Sequence, residues 1–264
     1  MPRQTLMILP ALGFMLVALT GCSRDSPDKR IKDAQRLSMV KKVALVSFGA
    51  NRVHLVGSDT DQETNTDPRS AALFGAVYLT AINKSMADNG SGLFVSLKDV
   101  MASKAYAAMK DVPYERQEPG LLASSYVYDS PVNDIHVFKI APDSAKELSK
   151  SLGVDAVLGT EVTFRLAPGW SMPILGTFFK PKWYAEATAG GDLYDNGGVL
   201  VWQARFNRRG PIHMKADKSL NLAMFSNSSI GGDKMVQIVE SAAKEAADHL
   251  VESIRDDIQA SRGK

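Results

Sequence analysis

One thiol, four imidazoles and 29 carboxylates are the side chains of this 264-residue sequence best suited to act as nucleophile, base or metal ligand. Their spacing builds no reactive site. His54, His136, His213 and His249 stand apart from one another, with no HExxH helix, CxxC pair or zinc-ligand spacing. They read as surface or partly buried structural residues, and neither a metal nor another cofactor is expected. A P-loop and a GxSxG elbow are missing too. Asp59-Thr60-Asp61-Gln62-Glu63-Thr64-Asn65 sets oxygen ligands at alternate positions, as the first half of a calcium loop does. Counted from Asp59, the sixth residue is Thr64 where such a loop needs Gly, and the twelfth is Ser70 where it needs Glu. The segment reads as a solvated acidic loop. With no nucleophile, base and orienting group brought together, the sequence does not predict an enzyme.

The one cysteine belongs to a leader instead. Arg3 precedes an apolar run from Leu6 to Leu19 that contains Pro10 and Gly13, the layout of a signal peptide over residues 1–21. A spanning helix takes about 20 apolar residues, so this run is short for a permanent anchor. Leu19, Thr20, Gly21 and Cys22 resemble the lipobox of bacterial prolipoproteins. The resemblance implies that the Cys22 thiol receives a diacylglyceryl group, that cleavage falls before Cys22, and that a further acyl chain joins its amine. One acyl chain anchors marginally; two or three hold a protein on a membrane stably. Ser23 follows where Asp favours inner-membrane retention in enterobacterial lipoproteins. By that likeness the chain is expected at the outer membrane, lipid-anchored, its domain facing the periplasm.

Removal of residues 1–21 loses only Arg3 among the charged groups and leaves 243 residues with 30 basic and 29 acidic side chains. Such a balance does not suit a nucleic-acid partner, which calls for a basic excess on one face. Residues 22–41 are polar and charged, with Pro27 and Asp28-Lys29-Arg30, and read as a tether that can turn helical over Ile31–Met39. Residues 42–262 read as a single α/β domain.

The elements that would build that domain are periodic. Val43-Ala44-Leu45-Val46-Ser47-Phe48 predicts a strand buried on both faces. Asp67-Pro68 offers a cap and a first helical residue for a helix through Leu73, Val77, Ala81 and Ile82 that stops at Asn89-Gly90. A short strand is predicted over Leu93–Leu97, then a helix capped by Asp99 through Ala102, Tyr106 and Met109. Asp111 to Ala141, with three prolines, reads as a long irregular connection, and Pro142–Leu152 as a helix ended by Gly153. Strands follow over Asp155–Leu166, Tyr184–Tyr194 and Val199–Asn207, the last two joined by the turn Asp195-Asn196-Gly197-Gly198. A helix over Asp233–Ala260, with Met235, Val239, Ala242, Ala246, Leu250, Ile254 and Ile258 as its stripe, closes the chain. The fold class is therefore α/β: a mixed β-sheet flanked by helices, with a long amphipathic C-terminal helix.

One segment is apolar without being periodic. Trp170, Met172, Ile174, Leu175, Phe178, Phe179, Trp183 and Tyr184 cluster among Pro168, Gly169, Pro173, Gly176 and Pro181. It either folds back as a satellite core or meets the bilayer interface or a neighbouring subunit, with Trp170, Ile174, Leu175, Phe178, Phe179 and Trp183 as the contact residues. Ile212, Met214 and Ala216, then Leu220, Leu222 and Met224, alternate around Asp217-Lys218-Ser219 as a second hairpin would, with arms short for a membrane barrel.

The order and spacing of Lys42–Phe48, Ser151–Gly159, Leu193–Trp202 and the Ala-rich helix near Ala242–Ala247 resemble a superfamily of envelope proteins. It includes the curli-secretion channel lipoprotein, the amino-terminal domain of TolB, and lipoprotein activators of penicillin-binding proteins. The resemblance implies that family's α/β sandwich and a non-enzymatic role in envelope assembly, export or partner activation. The leading expectation is an outer-membrane lipoprotein that binds protein partners in the envelope, copies of itself among them. The alternative is an activator of a peptidoglycan synthase, for which a long disordered linker after Cys22 would be expected and is not seen.

Overall fold

The computed structural model describes residues 30–51, 54–56, 63–65, 68–118, 124–130, 135–169, 182–209, 214–215 and 233–263. In chain order its elements are α1 (Ala34–Met39), β1 (Val43–Asn51), β2 (His54–Val56), β3 (Glu63–Asn65), α2 (Pro68–Asn89), α3 (Leu97–Met101), α4 (Lys104–Ala107), β4 (Tyr114–Glu118), β5 (Ser124–Asp129), α5 (Pro142–Leu152), β6 (Ala156–Gly169), β7 (Lys182–Asp195), β8 (Leu200–Arg209), β9 (Met214–Lys215) and α6 (Asp233–Arg262).

The continuous apolar run of β1 is buried at every residue because its two faces enter two cores. Val43 and Leu45 face one core and Ala44 and Val46 the other. Between Leu45 and Ser47 the register against β6 slips by one residue, so Phe48 and Ala50 return to the first core. This is a β-bulge, whose extra residue reverses the alternation of faces.

β6 is the axis of the sheet. β1 pairs with it in parallel on one side and β7 antiparallel on the other, and β8 adds antiparallel to β7. These four strands make the mixed core of the α/β fold. Helices α2 and α6 cover one face, where Phe74, Tyr78, Ile82 and Met86 meet Val239, Ala246, Leu250 and Ile254 over Leu45, Leu158 and Trp202. Val100, Tyr106, Ala145 and Leu148 cover part of the other face, over Ala44, Val46 and Val157.

The strands give the sheet two unlike ends. At the base lie α1, the β7–β8 turn and the C-terminus of α6, whose Arg262 donates to the carbonyls of Ser38 and Val40. At the opposite rim β2 pairs with Arg165 and Leu166 of β6 and carries β3, β5 pairs with the end of β1 and carries β4, and β9 pairs with Lys182 and Trp183.

The turn at the base follows its sequence. Asp195 Oδ1 accepts the amides of Gly197 (3.0 Å) and Val199 (2.8 Å). Gly198 sits at φ 75°, where a Cβ would also meet the Pro142 carbonyl oxygen at 2.3 Å. Only glycine fits there.

Several expectations shift. The C-terminal helix runs as predicted, with two more residues. The large apolar side chains that α2 buries are Phe74, Tyr78, Ile82 and Met86, while Leu73, Val77 and Ala81 are partly buried. Leu93–Leu97 is not a strand: Phe94 makes a single bridge to Val43, since amides and carbonyls pair only through Leu93 and Val95. The helix expected from Asp99 is two short turns, the first capped by Ser96, whose Oγ accepts from the Asp99 amide (3.2 Å). The connection 111–141 contains the β4–β5 hairpin. Residues 30–41, assigned to the tether from sequence, pack on the domain: Ile31 bridges to Trp202 and Leu37 is fully buried.

Candidate functional site

On the face opposite α2 and α6, three strands bring one residue each into a row: Glu161 of β6, Gly190 of β7 and Arg205 of β8. Two strand spacings, about 9.5 Å, separate β6 from β8. Arg205 crosses that gap by lying over Gly190, where a Cβ would be 2.5 Å from its Nη1 and 2.7 Å from its Nε. Its Nε then meets Glu161 Oε1 at 2.9 Å, and Nη1 approaches Asp192 Oδ1 at 3.5 Å. Tyr114 donates to Glu161 Oε2 (2.9 Å) and Gln203 to Asp192 Oδ1 (2.8 Å). Together with Ser47, Phe138, Lys139, Ile140, Gly159 and Thr160, the residues Tyr114, Glu161, Gly190, Asp192 and Arg205 line a cleft of about 190 Å³.

The two aliphatic hydroxyls that line the cleft are held by backbone groups. Ser47 Oγ donates to the Phe138 carbonyl (2.7 Å) and accepts the Phe138 amide (3.0 Å), fixing residues 135–140 along β1. Thr160 Oγ1 donates to the Gly190 carbonyl (2.6 Å). Among the described residues no histidine lines the cleft. Such a site offers hydrogen-bonding edges and both signs of charge to a polar surface.

A second polar cluster lies at the base, on the side of α6. Arg30 grips Asp257 with two bonds, Nε to Oδ2 at 2.8 Å and Nη2 to Oδ1 at 3.0 Å, and Trp202 Nε1 donates to the same Oδ2 at 2.8 Å. All three side chains are buried. The two-toothed geometry suits guanidinium and carboxylate, and it bolts the chain's entry into the domain to the C-terminal helix. Beside it, Arg36 pairs with Asp195 at 2.7 Å, and this bond raises the guanidinium pKa.

The predicted site residues fall largely elsewhere. Leu19, Thr20, Gly21 and Cys22, and the aromatic-segment residues Trp170, Ile174, Leu175, Phe178 and Phe179, lie outside the described residues. Trp183 lies on β7 at the rim, its backbone paired with Pro168 and Met214. Of Asp59–Asn65, Glu63–Asn65 form β3 and the rest lies outside the described residues. His136 has Nδ1 3.2 Å from Asp111 Oδ1, and its ring packs against Tyr106 at 5.0 Å. Burial, with a smaller push from Asp111, drives the Tyr106 phenol up to about 12 even though the His136 amide donates to it. Among the described residues no group of three or more His, Cys, Asp or Glu could hold a metal ion, and no helix is long and apolar enough to cross a membrane.

Sequence reasoning missed the cleft. Its signal is Gly190-Gly191-Asp192 inside a strand, since glycine within a strand marks a close approach of other groups.

The fold thus places the chain among α/β proteins with a mixed sheet between helices. No family model matches it, and no curated protein does. Among solved structures it is similar to the PelC dodecamer from Paraburkholderia phytofirmans in space group P6, with 14% identity over 82% of this chain and 88% of that one and a TM-score of 0.27. A single-substitution variant of that dodecamer in space group C2 matches at 14% identity over 81% and 89%, with a TM-score of 0.25. Overlap at this level transfers neither assembly nor role.

Proposed function

We propose that this chain is a lipid-anchored, non-enzymatic protein of the bacterial outer membrane that binds protein partners, copies of itself among them, in envelope assembly or export. The observation that carries the reading is Leu19-Thr20-Gly21-Cys22, with the only thiol of the chain at its acylation position and Arg30, eight residues on, already packed on the domain. Eight residues, 22–29, span at most about 28 Å, so the domain works beside its membrane. That reach also weighs against activation of a peptidoglycan synthase across the cell wall. The cleft around Arg205 supports a binding role, since Arg205 and Asp192 are partly exposed and able to meet a partner.

Light scattering on the mature acylated chain in detergent, together with vesicle flotation, tests the proposal. Assembly beyond one chain and flotation are expected. A strict monomer that stays out of the vesicle fraction would refute it.

A further inference from the structure

The base of the sheet carries a surface that neither the cleft nor the core uses. Lys41 and Lys42 are exposed just ahead of β1, Met39 is 60% exposed at the end of α1, and Val199 is 37% exposed in the β7–β8 turn. Asp143, beside the β7–β8 turn, is 97% exposed and pairs with Lys146 at 3.3 Å, while Asp155, Asp195 and Asp33 are held by internal donors. Asp155 Oδ2 accepts the amides of Lys41 and Lys42, both at 2.9 Å. Asp195 holds its turn and Arg36, and Asp33 caps α1 through the Arg36 amide at 3.0 Å. Among the described residues Lys41 and Lys42 enter no ion pair, so their charge is left for something outside the domain.

Chain length says what that is. Arg30 and Ile31 join the domain at the row Leu158–Leu193–Trp202, and the rim end of β6, Gly169, lies eleven residues further along the strand. That is about 36 Å at the usual strand rise. The eight residues 22–29 reach at most about 28 Å. Acyl chains on Cys22 therefore cannot stand the rim end-on upon their own leaflet, and of the sheet's two ends only the base is within their reach.

We infer that the base is a membrane-docking surface: Lys41 and Lys42 meet the phosphates of anionic phospholipid headgroups, while Met39 and Val199 reach the layer beneath. The inference rests on the lipid anchor proposed above. Juxtamembrane lysines gain about 1 kcal/mol each near an anionic surface, about fivefold in the docked fraction. Docking in this pose leaves the rim turned away, free for protein partners.

The test uses the full chain matured in a bacterial host, with a fluorophore on an introduced cysteine, Met39→Cys at the base or Gln117→Cys on the β4–β5 hairpin. Cys22 is blocked by its own acyl group. Intact mass first reports acylation, and nitroxide-bearing lipids then quench the label in vesicles of phosphatidylethanolamine and phosphatidylglycerol. Expected is several-fold stronger quenching at 39 than at 117. In chains that also carry Lys41→Gln or Lys42→Gln, docking should drop about fivefold per lysine, with no drop in phosphatidylcholine vesicles and unchanged melting by circular dichroism. An acylated chain with equal quenching at both sites, or stronger quenching at 117, overturns the docking surface and spares the anchor; an unacylated chain overturns both.

Discussion

Two arginines grip carboxylates on opposite faces of one sheet, and their surroundings give them different work. Arg30 and Asp257 are 8% and 5% exposed, share Trp202 as a third partner, and join segments 227 residues apart. Arg205 is 27% exposed and divides itself between Glu161, itself only 6% exposed, and the more open Asp192 at 22%. A buried pair adds little net stability over an apolar substitute, yet losing one partner strands a charge away from water. A pair that water reaches is cheap to break and easy for a partner to rearrange. The base is thus built to hold, and the cleft to be met.

Breaking the buried pair should have the largest effect. Asp257→Ala leaves the Arg30 guanidinium and the Trp202 indole N–H without their acceptor, and urea unfolding should lose about 3–5 kcal/mol. On the cleft side, Gly190→Ala drives a methyl into Arg205 and should lose about 1–3 kcal/mol. In an Arg205→Ala background the same change should be nearly neutral, a coupling that a double-mutant cycle reads directly. Arg205→Ala alone should lose about 1–2 kcal/mol, less than Asp257→Ala because water enters the cleft and Tyr114 still donates to Glu161. A loss equal to that of Asp257→Ala would erase the distinction between the two faces.

Alkaline titration gives a subtler contrast. Burial raises the phenols of Tyr106 and Tyr78, the first to about 12. A raised phenol favours the neutral form in the fold. Its stabilisation is therefore complete below the ordinary tyrosine pKa of about 10 and fades as pH climbs through about 12. Tyr106→Phe should flatten the fall in unfolding free energy over that window. Smallest of all, Lys84→Ala removes an exposed pair with Asp88 and should move stability by less than about 0.5 kcal/mol.

The same contrast explains what the sequence could say. Local patterns carried the fold: the 3.6-residue stripe of α6, the two-sided burial of β1, and the Asp-Asn-Gly-Gly turn whose amides Asp195 caps. The β4–β5 hairpin escaped because Glu115, Arg116, Gln117 and Glu118 show no apolar alternation; only Pro119-Gly120 marked the reversal. The Arg30–Asp257 pair leaves no periodic trace, being a contact 227 residues apart in the chain, so the sequence alone sets Arg30 with the tether. For the cleft, the polar face of β8 was legible, with Gln203 and Arg205 opposite Trp202 and Ala204. What could not be read was the cross-strand register that lays Arg205 over Gly190 and onto Glu161.

Placement, docking and reach all follow from a covalent modification at a single sulfur. Mass spectrometry of the amino-terminal peptide from protein made in its native host measures it directly. The account predicts a polypeptide that starts at Cys22 with a diacylglyceryl thioether and an acylated amine. A free thiol at that residue, or residues 1–21 still attached, would contradict it.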